Sequence, residues 1–583
     1  MEGQNIIDEA LKWSTNSAID KQDREEVQQL IDGNNLDELT ERFYKNLEFG
    51  TGGLRAVLGN GINRINKYTI RKATQAVINA IKEVPKNEYK MAICYDSRKF
   101  SKEFAMEAAS VCAGNGVHAY LYNRLNPVAL LSYAVRKLSC DAGVMVTASH
   151  NPPKYNGYKV FWSDGAQVTP PNDRMIISHY NKIERFEEIP TIDFNQALEK
   201  KQITILTEEI EQDYQSAIKS KMVNPKMCQE HGNDLKIVFT PIHGTGLIPC
   251  TQALEISGFN NVLVPQEQAQ PDHRFPTVKS PNPENPEALS LAIQLMKQQS
   301  ADIVMGTDPD TDRLGVAIQK NKDVFFPNGN QIGTLMLHYI LTQSNNIPEN
   351  SYFVKTIVTT DLQRKIAQKY GVACENTLTG FKWICGRVKE IEQNNPERNF
   401  IFGTEESFGY LNHPYVRDKD AVSSVALMAE IALFYKRQNM DLHDALTKIY
   451  EEFGFYQEEL LCLDYEGKSG AEKISRIMSH FRENVTREFS NKPLKLIEDY
   501  QSSMKTVLAT DEKARINLPR SNVLGLFFEN GDIIYLRPSG TEPKIKFYLM
   551  VNEKEGTIEE KSQNAIRKIS EYIERIKETA DQC

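Results

Sequence analysis

Apolar residues follow two rhythms along the chain. Short unbroken runs predict buried strands: "KMAICYD" from Lys90, "AGVMV" from Ala142, "YKVFW" from Tyr158 and "DIVMG" from Asp302. Between them lie segments of helical period, such as "KEFAMEAASVCAGNG" from Lys102. Another buries Leu289, Ala292, Ile293 and Met296 at spacings of three, four and seven. Strands alternating with helices predict an α/β fold class with parallel strands. The ends differ. The first ~45 residues read as polar amphipathic helix, stopping at "LEFGTGGLRAVLGNGINRIN", where Gly50, Gly52, Gly53, Gly59 and Gly61 predict loop. "PQEQAQPDHRFPTVKSPNPENP" from Pro265 lacks core periodicity and reads as a surface loop. The last ~130 residues change character: "VLGLFFENGDIIYLRPSGTEPKIKFYLMV" reads as antiparallel strands. A final helix follows with Ile566, Ile569, Ile573 and Ile576 on one face, predicting a separate α+β domain.

Length and composition narrow the class. At 583 residues the chain exceeds one core, and about 150 residues per domain gives about four domains. With 40% hydrophobic and 25% charged residues the composition is that of a soluble globular protein. A net charge of −9 argues against nucleic-acid binding, which needs excess cations on phosphates, but leaves small anionic ligands open. Nine cysteines contain no C-x-x-C, and the closest pair is Cys374 and Cys385, so neither a zinc ribbon nor a disulfide framework is predicted. The start "MEGQNIIDEALKW" has no apolar signal core, and no run reaches the ~18 apolar residues of a membrane span. The expectation is a cytoplasmic protein without membrane or nucleic-acid partners; oligomeric state has no signature in these patterns.

One arrangement recurs: apolar strand, polar loop, strand, near residues 149, 310, 405 and 540. "GTDPDTDRLG" places Asp308, Asp310 and Asp312 at alternate positions, which in extended chain point the same way. Three convergent carboxylates need a cation, and all-oxygen ligation suits Mg2+ or Ca2+. A calcium EF-hand loop wants Gly at its sixth position and Glu at its twelfth; here stand Arg313 and Gln319, and Mg2+ fits better. "RPSGTEPK" offers Arg537, Ser539, Gly540, Thr541 and Lys544, the donors a phosphate dianion binds, although a plain hairpin turn has the same composition. "FGTEESFGY" presents Glu405, Glu406 and Ser407, suited to polyol hydroxyls or equally to a helix cap. Downstream "VRDKDA" supplies the cations Arg417 and Lys419. In "VTASHNPPKYNG", Ser149 is flanked by Thr147 and Asn151, so the G-x-S-x-G hydrolase elbow is absent. The "GKS" at 467–469 has Cys462 where a P-loop needs glycine. A metal-supported seryl oxygen or seryl phosphate in phosphoryl transfer is the remaining chemistry.

Taken in order, "TASHNPPKYNGYK", "GTDPDTDR", "GTEESFG" and "RPSGTEPK" resemble the four active-site loops of the α-D-phosphohexomutases. The resemblance runs from "FGTGGLR" to "KIKFY", nearly the whole chain, and "GTEESFG", "TLTGFKW" and "FGTGGLRA" resemble the phosphoglucomutase and phosphopentomutase-like branch. It implies a four-domain architecture: three related mixed α/β domains plus a C-terminal TATA-binding-protein-like α+β domain. The implied divisions are 1–205 with the helical extension and serine loop, 206–322 with the metal loop, 323–452 with the sugar loop and 453–583 with the phosphate loop. By the same resemblance Ser149 is the phosphoserine, and Asp308, Asp310 and Asp312 bind one Mg2+ with it. Glu405 and Ser407 contact the sugar, and Arg537, Ser539, Gly540 and Thr541 hold the phosphate not being transferred. Arg55, His150, Lys159, Arg313 and Lys419 match cleft positions, the base being His150, Lys159 or Lys419. The implied activity is a phosphoglucomutase, an isomerase working on small sugar phosphates through a glucose 1,6-bisphosphate intermediate and activator. Phosphopentomutase, phosphomannomutase and sugar-bisphosphate synthase use the same loops, and a silent phosphosugar-binding regulator is the reading outside enzymes.

Overall fold

The computed structural model describes residues 2–50, 52–321, 323–465, 467–485, 487–539 and 544–583. The amino-terminal stretch forms three helices where one amphipathic helix was expected: α1 (Glu2–Thr15), α2 (Lys21–Asp32) and α3 (Leu36–Phe43). The chain breaks at residues 16–20 and again at Gly33 to Asn35, where Asn34 takes a left-handed φ of 49° and the Asn35 side chain caps α3. Ala10, Trp13, Ile19, Val27, Leu39 and Phe43 bury against Tyr68 in a core of their own.

The first sheet holds β1 (Gly53–Val57), β2 (Tyr89–Tyr95), β3 (Val117–Tyr122), β4 (Ala142–Val146), β5 (Tyr155–Trp162) and β6 (Ile203–Leu206), in the order β1-β5-β4-β2-β3-β6. β1 thus lies inside the segment whose glycines predicted only loop. The second sheet holds β7 (Ile237–Thr240), β8 (Val262–Leu263), β9 (Ile303–Thr307), β10 (Leu314–Lys320) and β11 (Asp323–Phe325), ordered β11-β10-β9-β7-β8. The third holds β12 (Ser351–Thr356), β13 (Ala373–Thr377), β14 (Asn399–Glu405) and β15 (Gly409–Leu411), ordered β13-β12-β14-β15.

These three sheets share one four-strand pattern. Each has a central strand flanked by parallel neighbours, and the last strand folds back antiparallel on the third: β5 on β4, β10 on β9, β15 on β14. The strands joined through helices are parallel, as expected, and each sheet adds an antiparallel strand. The reason is local: a loop of a few residues can join only antiparallel neighbours, whereas the parallel pairs are joined through helices such as Ser101–Gly114. Two of the turnbacks carry Ser149 and the aspartates, and Glu405 ends the strand that enters the third.

The fourth sheet is antiparallel: β16 (Phe455–Asp464), β17 (Glu488–Phe489), β18 (Lys492–Asp499), β19 (Met504–Val507), β20 (Glu512–Arg515), β21 (Leu524–Phe528), β22 (Ile533–Pro538) and β23 (Lys544–Glu553). The helix Ile558–Gln582 packs on it through Ala565, Ile569, Tyr572 and Ile576, while Ile566 is exposed. Of the expected isoleucine stripe, Ile569 and Ile576 are buried and Ile573 packs against the core; Tyr572, whose hydroxyl donates to Asp532 at 2.9 Å, completes that face. No described helix is long and apolar enough to cross a membrane.

Candidate active site

Ser149 sits on the turnback between β4 and β5. Gly157 lets the loop close, since a Cβ there would lie 2.4 Å from the Thr147 carbonyl oxygen. Ser149 is buried, with a left-handed φ of 49°. Its Oγ donates to Asp308 Oδ2 at 2.9 Å and lies 3.2 Å from His150 Nδ1. Lys159, opposite Met145 on β5, brings its Nζ to 2.7 Å from Asp310 Oδ2 and 3.4 Å from Asp312 Oδ2.

The three aspartates converge, with ligand atoms within 4.8 Å of one another, but not by the extended geometry expected. Residues 308–312 form a tight turn in which Thr311 has φ 53°. Asp308 Oδ1 closes it by accepting the N–H groups of Asp312 and Arg313, each at 3.0 Å. Backbone bonds then tie this turn to its neighbours. Val128 N–H donates to the Asp310 carbonyl at 3.0 Å, Thr245 N–H to that of Pro309 at 2.9 Å and Ala421 N–H to that of Thr311 at 3.3 Å.

Opposing charges are packed here. Burial first, then Asp312 and Asp310, push the Asp308 carboxyl well above the usual carboxylate range. Burial pushes Asp312 the same way, but Lys419, Lys159 and Arg313 outweigh it and hold it below that range. Burial would lower Lys159 and Lys419; Asp310 and Asp312 reverse this for the first, Asp312 and Asp418 for the second, and both stay protonated. His150 is held well below its ordinary value by burial, helped by Arg313 and Arg55, and is neutral near pH 7. Asp310 Oδ1 and Asp312 Oδ1 are buried with no hydrogen-bond partner. Orphaned carboxylate oxygens in a cluster of three are what a hard divalent cation satisfies, so the donor set fits one.

One cleft of about 1110 Å³ collects side chains from all four sheets. Arg55, Ser149, His150 and Lys159 come from the first, Glu284, Asp312 and Arg313 from the second. Glu405, Ser407 and Lys419 come from the third, Arg537 and Lys544 from the fourth. Asp308 and Asp310 lie fully buried beneath this lining. Arg55 donates to Asn151 Oδ1 at 2.9 Å, and Lys419 reaches Asp312 Oδ2 at 3.2 Å. Burial, with Glu406 adding and Lys419 opposing, pushes Glu405 up to about 7. Ser539 is half-buried at the hairpin end, its N–H donating to the Lys544 carbonyl at 2.8 Å; Gly540 and Thr541 lie outside the described residues.

Arg417, the other cation of "VRDKDA", is not among the residues that line the cleft. It is buried and donates to Pro414, Val416 and Glu392. The 265–286 segment is also more than a surface loop. Gln268 and Phe275 are buried, Glu284 pairs with Arg313, and Ser280 and Asn282 line the cleft. Sequence reasoning missed Lys546, which lines the cleft opposite Arg537 in the hairpin register. Its signal was available: Lys544 and Lys546 alternate on one strand face. Asp96 and Arg98, behind the serine loop, were also missed; a charged pair just after a buried strand was the clue.

Residues 46–187, 212–321 and 328–453 match the family models for phosphoglucomutase/phosphomannomutase alpha/beta/alpha domains I, II and III. The chain is 36% identical over 540 residues to a phosphoglucomutase of Staphylococcus epidermidis ATCC 35984, covering 92% of this chain and 96% of that one. It is 38% identical over 515 residues to a phosphoglucomutase of Staphylococcus aureus MSSA476, covering 88% and 91%. Among solved structures the fold resembles the open form of pp63/parafusin, a phosphoglucomutase from Paramecium, with a TM-score of 0.68 at 18% identity over 92% and 96% of the two chains. A phosphoglucomutase/phosphomannomutase family protein of Burkholderia thailandensis gives a TM-score of 0.65 at 17% identity over 91% and 97%.

Proposed function

The chain belongs to the α-D-phosphohexomutase family, and on that premise we propose that it is a phosphoglucomutase interconverting glucose 1-phosphate and glucose 6-phosphate. The observation that carries the reading is Ser149 Oγ at 2.9 Å from Asp308, in a cleft that joins acidic, polyol-binding and cationic walls.

Ser149 works as a phosphoryl carrier. The free hydroxyl oxygen of the sugar phosphate forms a bond to the seryl phosphorus while the bond from phosphorus to Ser149 Oγ breaks. The seryl oxygen leaves with the electron pair, and the sugar becomes glucose 1,6-bisphosphate. After this intermediate turns over in the cleft, Ser149 Oγ takes back the other phosphoryl group and releases the isomer. In the first transfer the attacking sugar hydroxyl gives up its proton as the departing seryl oxygen takes one up. In the return transfer neutral His150 Nδ1, 3.2 Å from that oxygen, accepts the Ser149 hydroxyl proton, which is passed to the departing sugar oxygen. Lys159, Lys419 and Arg313 stay cationic and offset charge on the transferring group. Glu405 and Ser407 bind sugar hydroxyls. Burial favours the protonated form of Glu405, in which it can donate to a sugar hydroxyl as well as accept from one. Arg537, Ser539 and Lys546 hold the phosphate that stays; Gly540 and Thr541 complete that loop. Asp308, Asp310 and Asp312, with an oxygen at Ser149, would hold Mg2+, which when bound supplies electrostatic stabilisation of phosphoryl transfer.

The test is incubation with doubly labelled glucose 1,6-bisphosphate, phosphopeptide mapping, and turnover on glucose, mannose, glucosamine and ribose 1-phosphates. Label on Ser149, its loss in Ser149→Ala together with activity, and preference for glucose 1-phosphate are expected. An unlabelled serine, or an active alanine variant, would contradict the mechanism.

A further inference from the structure

Arg98 lies just beyond β2, outside every loop assigned above. Its guanidinium is wholly buried and serves a single loop. Nη1 donates to the carbonyls of Pro152 at 3.1 Å and Tyr155 at 3.0 Å, and Nη2 to those of Ser149 and Asn151. Asp96, also wholly buried, lies 3.4 Å from Arg98 Nε and accepts the Thr147 hydroxyl at 2.6 Å. Thr147 Oγ1 in turn accepts the Ser149 N–H at 2.8 Å. Phe275, from the segment after β8, covers the guanidinium at 5.1 Å from ring centroid to Cζ. Beside it Ser280 donates to the His150 carbonyl at 3.0 Å.

This network has one evident effect. Ser149 occupies a left-handed backbone conformation, which a serine keeps only where surrounding contacts over-determine it. Neutralising Asp96 would need only a point charge. Gathering four carbonyls of one loop needs a planar fork with several donors, which lysine lacks. We propose that Arg98, backed by Asp96 and Thr147, is a positioning residue that sets the Ser149 oxygen against Asp308 for phosphoryl transfer, with Phe275 and Ser280 fixing the loop across the boundary between the first two sheets. The proposal rests on the reading of Ser149 as phosphoryl carrier.

The experiment compares wild type, Thr147→Val, Thr147→Ser and Arg98→Lys in the full chain. It measures the rate of Ser149 labelling from glucose 1,6-bisphosphate, kcat and KM for glucose 1-phosphate, and the melting temperature. Misplacing a reacting atom by about 1 Å costs about 10²-fold in rate. Thr147→Val and Arg98→Lys are expected to lose about that factor in labelling rate and kcat, with KM little changed. Thr147→Ser, which restores the hydroxyl, is expected to restore both. Unchanged kcat in Thr147→Val, or a loss that Thr147→Ser does not rescue, overturns the proposal even if Arg98→Lys fails to fold. Absence of label in the wild type would instead overturn the carrier role of Ser149, so the two failures are distinct.

Discussion

Asp308, Asp310 and Asp312 are one residue type at alternate positions, yet no two have the same set of partners. Asp308 accepts the serine and two backbone N–H groups, Asp310 pairs with Lys159, and Asp312 faces Lys159, Lys419 and Arg313. Asp310→Asn keeps the volume and removes one charge. It is expected to weaken Mg2+ binding by more than the roughly 10–100-fold that losing an outer-shell partner costs, and to lower kcat with it. Titrating activity and calorimetric heat against Mg2+ checks this; unchanged metal dependence would reject the ligand assignment. Lys159 keeps Asp312 at 3.4 Å, so the accompanying destabilisation should fall at the low end of the ~3–5 kcal/mol for breaking a buried pair. The triad was legible in the sequence because its spacing is local. Arg98 was not, because its partners at 149–155 lie some fifty positions away and only the packing of β4 beside β2 brings them together.

At the scale of elements, α1, α2 and α3 are 14, 12 and 8 residues long, too short to be stable helices alone in water. Their anchor is Trp13, with ring centroids 6.1 Å from Phe43, 5.3 Å from Tyr68 and 5.7 Å from Phe186. Trp13→Ala should cost about 3–5 kcal/mol of docking and expose residues 5–43 to hydrogen exchange. Ser149 labelling should persist, because none of these residues lines the cleft. Loss of labelling with the core still protected would show a catalytic role for the extension. The alternation of strands and helices was readable from period alone, as was the antiparallel carboxy-terminal sheet. The role of residues 265–286 was not. Without periodicity a buried loop and an exposed one look alike, and Phe275 and Glu284 find partners only on other elements.

At the scale of the molecule, function depends on four sheets meeting at one cleft. Arg537 and Lys546 line it from the last sheet. Arg537→Ala should remove charge-assisted hydrogen bonds worth about 1.5–3 kcal/mol, about 10–100-fold in kcat/KM, expressed chiefly in KM. Steady-state kinetics beside the rate of Ser149 labelling would separate binding from transfer; a loss confined to kcat would contradict the assignment. The sequence by itself determined the chemistry available: a serine, three carboxylates, a Glu-Glu-Ser stretch and a cationic stretch, each beside an apolar strand. It did so because loop chemistry is written in residue type and short spacing. Only the tertiary structure decided that Asp308 meets Ser149, that two lysines sit on the carboxylates, that Arg417 turns away and that Arg98 holds the serine loop. Apart from those of Arg417, these contacts join residues 51 to 159 positions apart, and such distances are set by sheet packing rather than by any pattern along the chain.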